Sequence, residues 1–70
     1  MEINKKVKAM IIRDVKFNLM MLESKKGRSA NQSDFDDIQR TVGENIAEQM
    51  NWSDEEGEEV VRLIVADFIN

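Results

Sequence analysis

The stretch Val7-Lys8-Ala9-Met10-Ile11-Ile12-Arg13-Asp14-Val15-Lys16-Phe17-Asn18-Leu19-Met20-Met21-Leu22 decides between an all-α protein and a mixed one. Val7, Met10, Ile11, Val15 and Leu22, with Ile3 before them, recur at helical intervals and share one face. The same residues also alternate. Val7, Ala9 and Ile11, then Val15, Phe17, Leu19 and Met21, line one side of two short strands if Arg13-Asp14 is the turn between them. Turn chemistry favours the helix: a two-residue hairpin turn normally takes Gly or Asn, neither is present, and Met and Leu are good helix formers. The expectation is a helix, with a β-hairpin as the alternative.

Beyond this segment, residues 24–33 are polar and hold no large apolar side chain, so they form a loop. Gly27 is placed to cap the first helix, and Lys25 and Lys26 suit the negative end of its dipole. Ser33, ahead of Asp34-Phe35-Asp36, is the expected cap of a second helix over about 34–50. Phe35, Ile38, Val42, Ile46 and Met50 then form one apolar stripe. Ser53-Asp54-Glu55-Glu56 has the form of a capping box and opens a third helix over about 54–69.

Val60, Val61, Ile64, Val65, Phe68 and Ile69, with Leu63 on the flank, cover about half of that helix, wider than an ordinary surface stripe. Such a helix lies at the centre of the bundle or in a dimer interface. Trp52 precedes the Ser53 cap, where an apolar residue commonly packs onto the fourth helical residue, but that residue is Gly57. Trp52 is then a lid on the core or, as the sharper alternative, an interface anchor. The expected fold is all-α, a small three-helix domain comprising residues 1–70, dimeric through its first and third helices. Ile12, Leu19, Met20 and Leu63, which lie off the main stripes, add to the case for a homodimer.

Composition excludes more than it identifies. The chain has no Cys and no His, which removes disulfides, thiolate metal sites, the commonest metal ligand and the usual general base. It also has no Tyr, so catalysis would rest on Ser, Thr, Lys and carboxylates strung along exposed helix faces. The expectation is no enzyme, no cofactor and no metal. Neither Asp34-Phe35-Asp36-Asp37 nor the run from Asp54 to Glu59 has the ligand order of a calcium loop. No uninterrupted apolar run resembles a signal peptide or a membrane span, so the expected compartment is the cytoplasm and no membrane partner is expected.

Charge is sharply divided along the chain. Residues 1–28 carry eight Lys and Arg against three acids, a net +5, while residues 29–70 carry eleven acids against two Arg, a net −9. A helix-turn-helix reader of DNA would have to present the carboxylates of Asp54, Glu55, Glu58 and Glu59 to phosphates, which is the wrong sign. Direct nucleic-acid binding by the basic first segment is disfavoured by the net charge of −4.

The acids suggest the reverse relationship. Asp37, Glu44 and Glu48 share one edge of the second helix, with Asp34 nearby, and Glu44 and Glu48 lie about 6 Å apart along the axis. That is of the order of the distance between successive phosphates on one strand. With Asp54, Glu55, Glu58 and Glu59 they form a row of carboxylates suited to the basic groove of a DNA-binding protein. Solubilising charge and dipole-favoured acids at helix starts are the plainer account of Asp34, Asp36, Asp54, Glu55 and Glu56.

In size, acidity, lack of Cys and lack of any catalytic set, the whole chain resembles the small host-takeover proteins of phages. Among these it is most similar to the acidic DNA-mimic inhibitors, a type that includes the inhibitor of the bacterial nucleoid protein HU. The resemblance rests on size and charge and carries over no functional residue. It implies a dimer whose acidic surface occupies a basic, nucleoid-type DNA-binding protein of the host. From a different class, a regulatory or assembly subunit would bind its partner through an apolar helical face.

Overall fold

The first helix is continuous through the segment that also admitted a hairpin. A computed structural model describes residues 3–69, the side chains of Phe68 and Ile69 excepted, and contains three helices: α1 (Lys5–Lys26), α2 (Gln32–Met50) and α3 (Asp54–Ile69). No strand occurs among the described residues. The expected contributions of Phe68 and Ile69 to the apolar face of α3 lie outside what is described.

Each helix starts and stops for a local reason. The Asn4 side chain accepts a hydrogen bond from the Val7 backbone N–H at 2.8 Å and caps α1. Gly27, with φ 67°, ends that helix in the left-handed conformation, its N–H donating to the Glu23 carbonyl at 2.8 Å. Lys25 and Lys26 stand in the last turn as expected. Asn51 ends α2 the same way at φ 59°, and the Trp52 N–H donates to the Ala47 carbonyl at 2.8 Å, the bond of a Schellman motif that reaches back five residues. Ser53 and Glu56 form the expected capping box at the start of α3.

The start of α2 differs from expectation. Asn31, not Ser33, is the cap: its side chain accepts from the Asp34 N–H at 3.0 Å, and the Asp34 carboxylate accepts from the Asn31 N–H at 3.0 Å. Asn caps a helix at least as well as Ser, and the earlier start turns Asp34 inward. There Asp34 receives Lys26 at 2.8 Å and Arg28 at 2.7 Å, so the cap, the loop and the end of α1 are tied at one carboxylate. Glu23 adds a further tie by accepting from the Ala30 N–H.

Between the helices lies a core of β-branched side chains. Val7, Ile11 and Val15 from α1 meet Ile38, Val42 and Ile46 from α2 and Val60, Val61, Ile64 and Val65 from α3. Their stiff χ1 angles suit a small core that must settle into one packing. Met10, Ile12, Leu19, Leu22 and Trp52 pack around its margin, which makes Trp52 a half-buried lid.

At one place α2 and α3 come into near backbone contact. A Cβ built on Gly43 would lie 2.8 Å from both the Cα and the N of Glu58. One built on Gly57 would collide with the Gly43 carbonyl oxygen and lie 2.8 Å from the Ala47 Cβ. The absence of both side chains, with Ala47 beside them, allows this crossing, and it fixes how the first turns of α3 sit against α2.

Candidate protein-binding surfaces

The eight acids expected to form one surface fall into three groups. Asp34 is not on the surface at all: it is 3% exposed and belongs to the ion-paired cap described above. The Arg28 guanidinium, the Asn31 backbone N–H and the Lys26 ammonium hold its carboxyl well below the usual carboxylate range. With both oxygens occupied from inside the chain, it has nothing left to offer a partner.

Asp37, Glu44 and Glu48 form the second group. All three are exposed, and at about 100° per residue they fall within an arc of about 40° on the outer edge of α2. Asp37 is paired with Arg40 at 3.1 Å, both largely in solvent, a type of contact worth little. Glu44 and Glu48 have no ion-pair partner among the described residues.

The third group sits at the start of α3. Glu55, Glu58 and Glu59 face Asp36 and Gln39 of α2 across a shallow groove of about 300 Å³, with Arg40 and Arg62 also lining it. Glu59 is ion-paired with Arg62, which lowers the acid's pKa and raises the base's. Glu56 is lowered by Ser53, chiefly through the backbone N–H it accepts in the capping box. Asp54 is exposed at the first position of the helix. The crossing at Gly43 and Gly57 brings this group against α2, and the sequence carried a sign of it in two glycines inside helices.

Apolar exposure is concentrated on α1. Phe17, Met20 and Met21 are 57%, 58% and 53% exposed. Met10, Phe17 and Met21 fall within an arc of about 40° on the flank of the helix, next to its buried face. Beside them an open groove of about 550 Å³ runs between α1 and α2, with Leu22 and Ile38 along it and Met21, Lys25, Asp37 and Thr41 around them. On α3, by contrast, Val60, Val61, Ile64 and Val65 turn inward and leave Leu63 outside. Among the described side chains, the large apolar ones exposed on α1 are Phe17, Met20 and Met21, and on α3 Leu63.

Among the described residues no group of three or more His, Cys, Asp or Glu side chains is placed to hold a metal ion. No described helix is long and apolar enough to cross a membrane. Comparison with known proteins gives no match to a family model, to a curated protein or to a solved structure.

Proposed function

We propose that this chain is a non-catalytic binding protein whose acidic surface at the start of α3 occupies a basic surface of another protein and so competes with DNA for it. The observation that carries the proposal is the shared groove in which Asp36, Glu55, Glu58 and Glu59 converge from two helices. Five carboxylates stand within the six residues Asp54–Glu59, more than capping and the helix dipole use. Rigid helices hold them, so little ordering is required when a cationic partner arrives. The partner implied is an abundant basic protein of the nucleoid type, and the setting implied is a phage-infected bacterial cytoplasm.

The test is displacement of labelled duplex DNA from a purified nucleoid protein of the HU type. The chain is expected to compete at low salt and to lose affinity steeply as ionic strength rises. Glu55→Lys with Glu59→Lys is expected to abolish competition while the circular dichroism spectrum stays helical. Undiminished competition by the helical double variant would sink the proposal.

A second reading is favoured by the exposure of Phe17, Met20 and Met21. In it a regulatory or assembly subunit docks a partner protein on the flank of α1, and its affinity barely responds to salt. The flexible, polarisable side chain of Met suits an adaptable docking surface.

A further inference from the structure

We draw no further inference here: the strongest candidate, the exposed apolar flank of α1 at Phe17, Met20 and Met21 with the open groove beside it, carries nothing because nothing in the structure shows what covers it.

Discussion

Where α2 crosses α3 the backbones themselves approach, because Gly43 and Gly57 leave no side chain between them and Ala47 fills the remaining space. Along the outer flank of α1 the situation is reversed, with Phe17, Met20 and Met21 each more than half in solvent. The first region is specified by what is missing, since any added atom pushes two helices apart. The second is specified by what is left over, apolar side chains that the monomer's own core does not need. Stability should therefore reside in the seam and the β-branched core, and association in the flank.

The largest expected effect comes from the core that both regions share. Ile46 is fully buried at its centre, and Ile46→Ala should cost about 3 kcal/mol, in the usual range for deleting a buried aliphatic side chain. Urea unfolding measures it, and a loss below about 1 kcal/mol would mean that this core is loosely packed. Gly57→Ala follows, because one methyl group drives against the Gly43 carbonyl. Helix propensity returns about 1 kcal/mol, but overpacking outweighs it and the net loss should be about 2 kcal/mol. That corresponds to a fall in Tm of about 10 °C for a domain of this size. A stabilised Gly57→Ala variant would show that the helices are not in backbone contact.

Acid should act at the junction of α1 and α2. The carboxyl of Asp34 is held well below its ordinary value by Arg28, Asn31 and Lys26, and Glu56 and Glu59 are lowered by Ser53 and Arg62. A group whose pKa is lower folded than unfolded binds its proton more tightly when unfolded. Its contribution is therefore complete above the unfolded pKa, about 4 for a carboxylate, and is lost as pH falls through the folded value. The Tm should be level near neutrality and decline below about pH 4. Asp34→Asn should make that decline shallower, and parallel curves for variant and wild type would remove Asp34 as its main cause.

Much of this architecture was legible in the chain because its signals are local. Capping at Ser53, the turn at Gly27 and the buried stripes of Ile38, Val42 and Ile46 on α2 and of Val60, Val61, Ile64 and Val65 on α3 each lie within a few residues of one another, although Met50, read as part of the α2 stripe, is exposed. The first helix was legible for the same reason, once the missing turn residues counted against a hairpin. What escaped were facts about distance in space. Asp34 reads like any acid in a first turn until the chain brings Lys26 and Arg28 to it. Gly57 reads as a failed staple for Trp52 until α2 lies against it. The acid row read as one surface because a list of carboxylates does not say which side of α2 each one takes. A glycine inside each of two adjacent helices, at about 1 kcal/mol of lost propensity apiece, was the one sequence clue to the crossing.

The smallest expected effect is the one that separates the two regions most cleanly. Phe17 and Ile11 lie on the same helix six residues apart, yet Ile11 is fully buried and Phe17 is 57% exposed. In dilute solution, where any dimer has dissociated, Phe17→Ser should change the unfolding free energy by no more than about 0.5 kcal/mol. Ile11→Ala under the same conditions should cost about 2 kcal/mol or more. A Phe17→Ser variant that loses stability even when dilute would place this ring in the monomer's own core. The flank of α1 would then be an extension of the packed region and no longer its counterpart.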